Sequence, residues 1–510
     1  MCVFRCDNFN RTVFFLYWQQ IGLFVGISFI HFCKRSEAKI YCYNAIKKSL
    51  VHNMNKQELR TSILLAFVYI LRLLGIFLML PIFTLYASGL SGGDNKTLVG
   101  LAFGIYGLTQ AIFQLPFGIA SDYWGRKKVI FLGLLIFALG SVLSAFANDI
   151  WTLTFARSLQ GAGAISSAVI ALLADLTRDE VRTRAMSIIG LSIGLTFSGS
   201  LIIAPILNQL VGVKGIFILT GVLIIPAILL VHFLVPNPPK MRIHNDSSAK
   251  LSKIPNVIKD LNLWKLNFGI FALHCGQMAL FVALPFILEK HTGILRHELW
   301  KIYLPVTLIG IIAMIPAVIV GETKNKLKSV LLIAIVFLAI TQLGLTLNAN
   351  YLAMILVLLS FYFIGLNIAE AILPSWVSKI AHPQIKGTAM GIYNTSMSLG
   401  LFSGSLIGGL LLHHFNEQMV FIFCFVLMLL WVLVVLTLKS PKLLKTLIFT
   451  LPDTWQKYHN TLNCKLNEMN GIVETAFSDD GETLYLKVLP KSFDVNALQM
   501  LLLENPEYVS

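Results

Sequence analysis

From residue 59 onward the chain alternates between apolar runs and short polar loops rich in Lys, Arg, Gly and Pro. A bilayer core of about 30 Å takes about 20 helical residues to cross, and the runs are of that length. The pattern predicts helical membrane spans, not the short alternating segments of a lipid-facing β-barrel. Punctuation by Gly, Pro and charge gives twelve of them. The first six lie near 59–86, 96–119, 128–147, 151–174, 184–210 and 214–236. The second six lie near 263–288, 298–320, 328–347, 351–378, 387–413 and 418–438. The longest internal loop, about 237–262, is polar and basic and follows the linker-like run Pro236-Asn-Pro-Pro239. Two comparable halves around a linker are the plan of repeat-built transporters, whose substrate site lies between the halves near the midplane.

The two ends read differently. Residues 1–53 hold an apolar stretch, Phe14 to Phe32, interrupted by Gln19-Gln20 and followed by Lys34-Arg35. It reads as a thirteenth span, as a signal-like segment, or as sequence ahead of a true start at Met54, which is the expectation adopted. Residues 440–510 lose the membrane signature. A strand is predicted over Leu444–Leu451, an amphipathic helix over Asp453–Met469, and two strands over Val473–Phe477 and Leu484–Leu489. The strands flank the hairpin signal Ser478-Asp-Asp-Gly481, and a last short helix opens at Asp494. The order β-α-β-β-α predicts a small α+β, ferredoxin-like tail without a clear final strand. The expected organisation is therefore an extension (1–53), a six-helix bundle (54–236), a linker (237–262), a second six-helix bundle (263–439) and the tail (440–510).

Composition agrees with the pattern: 56% of residues are hydrophobic and only 13% charged, against about 25% charged in soluble domains. The formal net charge of +15 is explained by loop placement rather than by nucleic acid. One set of loops carries Arg126, Lys127 and Lys128, then Arg178, Arg182 and Arg184, then Lys240, Arg242, Lys250, Lys253 and Lys259. It continues with Lys324, Lys326, Lys328, Lys379 and Lys386. The opposite set holds Lys96, Lys214, Lys290, Arg296 and Lys301. The positive-inside rule makes the first set cytoplasmic, with the C-terminus on the same side. The seven cysteines form no Cys-x-x-Cys pair and no metal site is expected. A Gly-rich phosphate loop is also missing from the sequence, which argues against ATP-driven pumping. The expectation is a multi-pass membrane protein that is not an enzyme and uses no cofactor.

Two motifs stand out. The first, Gly118-Ile-Ala-Ser-Asp122-Tyr-Trp-Gly125-Arg126-Lys127-Lys128, lies between spans two and three. Gly118 allows a helix end to pack closely, Gly125 allows a tight turn, and Arg126 can reach carboxylates on a neighbouring helix. Asp122 is expected near the N-terminus of span three, where the helix dipole favours an anion. The second, Arg157-Ser-Leu-Gln160-Gly161-Ala-Gly163 in span four, joins an embedded cation to small residues that permit close helix approach.

Together these motifs resemble the major facilitator superfamily: the first is similar to its loop signature GxxxDRxGRKx, with Tyr123 in place of an Arg, and the second to RxxQGxG. The resemblance covers about 59–438 and implies an all-α 6+6 bundle working by alternating access. Within the superfamily the chain is similar to the YajR-type exporters. This likeness is carried by Gly104–Gln114, Asp175-Leu-Thr-Arg178, Glu370-Ala-Ile-Leu-Pro374-Ser375, Lys386–Gly391 and the ferredoxin-like tail. It implies proton-driven export of a drug-like substrate and a conformational switch in which Asp122 and Arg126 pair with Asp175. The same charges also serve simple packing at helix ends, and both roles stay open.

Three charges fall inside spans: Arg72, Arg157 and Glu370. Each costs about 2.5–3.5 kcal/mol at the midplane on insertion scales, so each is expected to face a cavity or a partner. Arg72 and Arg157 point to an electropositive first half suited to anionic or amphipathic substrates, with a structural role for Arg72 and snorkelling for Arg157 as the alternatives. The candidate proton-coupling groups are Glu370, then Asp122 and Asp175, then His274, which titrates in the right range and also suits a hydrogen-bonded packing role. Glu58, at the edge of span one, is the one acidic residue there. The candidate substrate cavity is Arg72, Gln110, Gln114, Gln277, Asn367, Tyr393 and Asn394. The loop Gly321-Glu322-Thr-Lys324 reads as a degenerate copy of the first motif.

The resulting expectation is a proton-coupled secondary transporter in a bacterial inner membrane that exports small amphipathic compounds. Its partners are a small-molecule substrate, protons and the lipid bilayer, with an unidentified ligand or oligomer contact for the tail. A nutrient or organic-anion symporter and a non-transporting membrane sensor are the alternatives.

Overall fold

The computed structural model describes residues 54–237, 254–292, 298–347, 351–381, 385–438 and, with short gaps, 445–502. Expectations for residues 1–53, most of the linker and the turn at 478–480 lie outside the described residues.

Helix starts follow from side-chain caps. In span one, Asn55 Oδ1 accepts from the Glu58 amide at 2.7 Å while Glu58 Oε2 accepts from the Asn55 amide at 2.8 Å, a reciprocal capping box. Asn95, Asp149 and Asn416 cap spans two, four and twelve in the same spirit. Among the described residues, eleven helical stretches are long and apolar enough to cross a bilayer. One of them, Arg184–Leu234, has 51 residues, about 75 Å of helical rise if straight. It breaks at Gly212 (φ 68°, ψ 172°). Near the break, Lys214 Nζ donates to Asn148 Oδ1 at 3.0 Å. Beyond its far end, the Val235 carbonyl accepts from Lys127 Nζ at 2.5 Å, beside the first motif. The stretch therefore crosses twice and supplies spans five and six, which defines a basic face (Arg126, Lys127, Val235) and an opposite, far face (Asn148, Lys214).

Span four is also interrupted. It runs as Ile150–Ala162 and Ser166–Asp175, with Gly163–Ile165 between them. The second half is made of Leu261–Thr292, Trp300–Thr323, Leu327–Leu347, Leu352–Ile380, Lys386–His414 and Glu417–Leu436, spans seven to twelve. One continuous apolar core holds both halves together.

The halves meet where side chains vanish. A Cβ on Gly100, Gly104 or Gly107 of span two would lie 2.3, 2.8 or 2.7 Å from the backbone oxygens of Ser405, Phe402 or Ser398 in span eleven. Only hydrogen fits at that separation, so span two rests directly on span eleven. Because Lys96 opens span two and His414 closes span eleven, this seam closes the far-face side.

The tail is a three-stranded antiparallel sheet of β1 (Lys445–Thr450), β2 (Ile472–Phe477) and β3 (Thr483–Val488), in the order β1-β3-β2. A helix, His459–Glu468, joins β1 to β2. Trp455, Leu462, Leu466, Leu484, Leu486 and Leu498 form its own small core. This is the α+β arrangement predicted, with the helix starting six residues later than expected. Lys487 of β3 is 6% exposed and donates to the Ala381 carbonyl at the end of span ten at 3.1 Å. It also pairs with Glu474 at 2.8 Å.

Candidate transport site

At the basic face, the helix of span two runs through Trp124 and stops at Gly125, whose φ of 97° and ψ of 138° suit glycine alone. Span three begins at Arg126. Asp122 thus sits in the last turn of span two and not at the start of span three, which corrects the expectation from the dipole. A helix C-terminus disfavours an anion, and the compensation is the ion pair with Arg126 across the break. Arg126 Nε also bonds Asp175 Oδ2 at 2.9 Å, and its Nη1 bonds Ser121 Oγ at 2.8 Å. One guanidinium therefore ties the ends of spans two and four together. Gly118 lies within the helix, 3.3 Å from Ser167 Oγ by its would-be Cβ. Lys127 holds span six through Val235.

Two further ion pairs share this face. Glu58, 4% exposed, receives Arg178 through Nε at 2.8 Å and Nη2 at 3.1 Å. In the second half, Glu322 pairs with Lys379 and accepts from Ser375 Oγ at 2.8 Å. The loop that reads as a degenerate repeat thus joins the end of span ten as Arg126 joins the end of span four, with the charges exchanged. Sequence reasoning missed this; the signal was Lys379, counted only as a loop cation.

Deeper in the first half, Arg72 and Arg157 are 0% exposed. Arg72 donates to Ser166 Oγ at 3.1 Å and to Gln110 Oε1 at 3.3 Å. Arg157 donates to the Gly75 carbonyl at 3.3 Å and to Gln160, whose Nε2 bonds Ser141 Oγ at 2.7 Å. A Cβ on Gly161 would lie 2.2 Å from the Tyr106 carbonyl oxygen, so this motif glycine seats span four against span two. Gln114 is 2% exposed, with Oε1 unpartnered.

In the second half, His274 of span seven and Glu370 of span ten lie 3.1 Å apart, Nε2 to Oε1. His274 Nδ1 is 3.2 Å from the Ile270 carbonyl oxygen. The ring can donate from Nδ1 to the Ile270 carbonyl, from Nε2 to the Glu370 carboxylate, or, as the imidazolium, from both nitrogens. The Glu370 side chain is 40% exposed and that of His274 9%, so the carboxyl is the open end of the pair. Gln277 and Tyr393 are buried, Asn394 is half-buried, and Asn367 packs against Gly310 with its Nδ2 unpartnered. The candidate cavity residues fall into two groups, Arg72, Gln110 and Gln114 in the first half and Gln277, Asn367, Tyr393 and Asn394 in the second. Glu370 pairs with His274 and not with either arginine.

The comparisons agree with this architecture. Residues 65–395 and 308–452 match the Major Facilitator Superfamily. The chain is 37% identical over 437 residues to the inner membrane transport protein YajR of Escherichia coli (strain K12), covering 86% of this chain and 96% of that one. It is 29% identical over 383 residues to multidrug resistance protein 2 of Bacillus subtilis (strain 168), covering 72% and 91%. Among solved structures it is similar to a bacterial homologue of the human lysosomal transporter Spinster in an inward-facing, occupied conformation. There the TM-score is 0.61 at 13% identity, covering 75% of this chain and 97% of that one.

Proposed function

Since this chain belongs to the major facilitator superfamily and is a multi-pass membrane transporter rather than an enzyme, we propose that it couples proton movement to export of small amphipathic compounds across a bacterial inner membrane. The observation that carries this reading is the His274–Glu370 contact between spans seven and ten, whose carboxyl is its open end. An added proton makes the imidazole a cation that donates at both nitrogens, so uptake tightens the contact and release loosens it. Protonation thereby selects between two arrangements of the second half.

The positive-inside rule places the basic face in the cytoplasm. The seam of span two on span eleven closes the far side, so release of the Glu370 proton is directed to the cytoplasm. Arg126, Asp122 and Asp175 bind the first half into one body that rocks against the second. The names of two relatives, an inner membrane transport protein and a multidrug resistance protein, support membrane and substrate class. In proteoliposomes with an imposed pH gradient, wild type is expected to move fluorescent amphipathic probes and Glu370→Gln to lose gradient-driven movement. Equal movement by both would remove the pair from the mechanism.

A further inference from the structure

The first half carries two membrane-embedded cations and no internal counter-ion. No Asp or Glu occurs within the predicted spans one to six. Among the described residues no ion pair reaches either Arg72 or Arg157. Their neutral partners leave donors over: Arg72 Nε, Arg157 Nε and Arg157 Nη2 are buried without a hydrogen-bond partner, as is the Tyr106 hydroxyl. The two guanidiniums flank one ring, with Arg72 Cζ 5.9 Å and Arg157 Cζ 5.1 Å from the Tyr106 centroid. The Phe83 ring centroid lies 5.4 Å from Arg157 Cζ. Buried charge without a partner is costly, and unused guanidinium donors are forks suited to carboxylate. Packing alone accounts for the bond from Arg157 to the Gly75 carbonyl near the end of the span-one helix, but not for three unused donors.

We infer that Arg72, Arg157 and the Tyr106 hydroxyl form an anion site that receives the carboxylate of an aromatic or otherwise apolar substrate. Phe83 and the Tyr106 ring supply the apolar wall beside it. Both guanidiniums are fully buried in this arrangement, so the site loads only when spans one, two and four shift around it. The direction of transport rests on the export reading above; binding does not. Exchange of a monoanion for a proton moves two elementary charges per cycle in the same electrical sense, so an inside-negative potential draws the anion out in addition to the pH gradient.

The test is equilibrium dialysis of the purified full chain in detergent, without any gradient, against 2-naphthoate and against the neutral isostere 2-naphthamide. Wild type is expected to retain naphthoate at least about tenfold more tightly than the amide, in keeping with a charge-assisted bidentate contact. Arg72→Gln and Arg157→Gln are expected to abolish that preference, and Arg72→Lys to restore part of it. If Arg157→Gln does not fold, the Arg72 variants decide alone. Equal binding of acid and amide, undiminished naphthoate binding in Arg72→Gln, or no naphthoate binding by wild type would each overturn the site. Because no pH gradient is present, these outcomes are independent of whether the His274–Glu370 pair carries the coupled proton.

Discussion

His274 Nε2 and Glu370 Oε1 stand 3.1 Å apart and join span seven to span ten. The opposite ring nitrogen lies 3.2 Å from the Ile270 carbonyl oxygen, so only the doubly protonated ring donates to both partners at once. On the proposed function, proton uptake at this pair tightens the contact between the two spans.

Neutralising the carboxylates around Arg126 is expected to act unequally. The Asp175 side chain is 14% exposed and that of Asp122 32%, and solvent screens the more open pair. Asp175→Asn is expected to cost about 1.5–3 kcal/mol and Asp122→Asn less, read as thermal midpoints in detergent. In both, transport turnover is expected to fall far more than expression; near-normal transport in either would take the triad out of the conformational cycle.

Gly125→Ala tests backbone strain by itself. No atom lies within 4 Å of the position its Cβ would take, so there is no clash, yet the φ of 97° is glycine's own. The expected loss is about 1–3 kcal/mol, measured by thermal unfolding beside Gly190→Ala, another glycine with open space around it.

Gly100→Ala addresses the seam between the halves. Its methyl would meet the Ser405 carbonyl at 2.3 Å, so the far side is expected to stay ajar. A cysteine placed at Val99 would then react faster with a membrane-impermeant thiol reagent from outside, and transport would fall. Unchanged labelling would mean that the seam opens and closes without this contact.

Lys487→Gln is expected to free the tail from span ten, because the buried ammonium is its bond to the Ala381 carbonyl. Limited proteolysis after residue 438 should accelerate, and the transport rate should shift if the tail reports on span ten. Identical cleavage would show that the tail is held elsewhere.

Much of this was legible in the sequence because it is written locally. Apolar run length gives the spans, and the break at Gly212 falls in the predicted gap between 210 and 214. The Arg126–Asp175 pair was legible through a motif. Asp122 was misplaced on the helix because the boundary depends on Gly125, whose positive φ lets span two continue to Trp124. The pairs His274–Glu370 and Glu322–Lys379 join different spans, 96 and 57 positions apart, and helical periodicity says nothing about which spans face each other. Each residue was visible alone; the partnership needed the packing.

The most direct test of proton coupling needs no substrate. Proteoliposomes on a solid support are given a pH jump from about 8 to about 6, across the ordinary imidazole range, and charge displacement is recorded. Wild type is predicted to give a transient that Glu370→Gln and His274→Gln both lack. A transient of wild-type size in either variant would contradict the account.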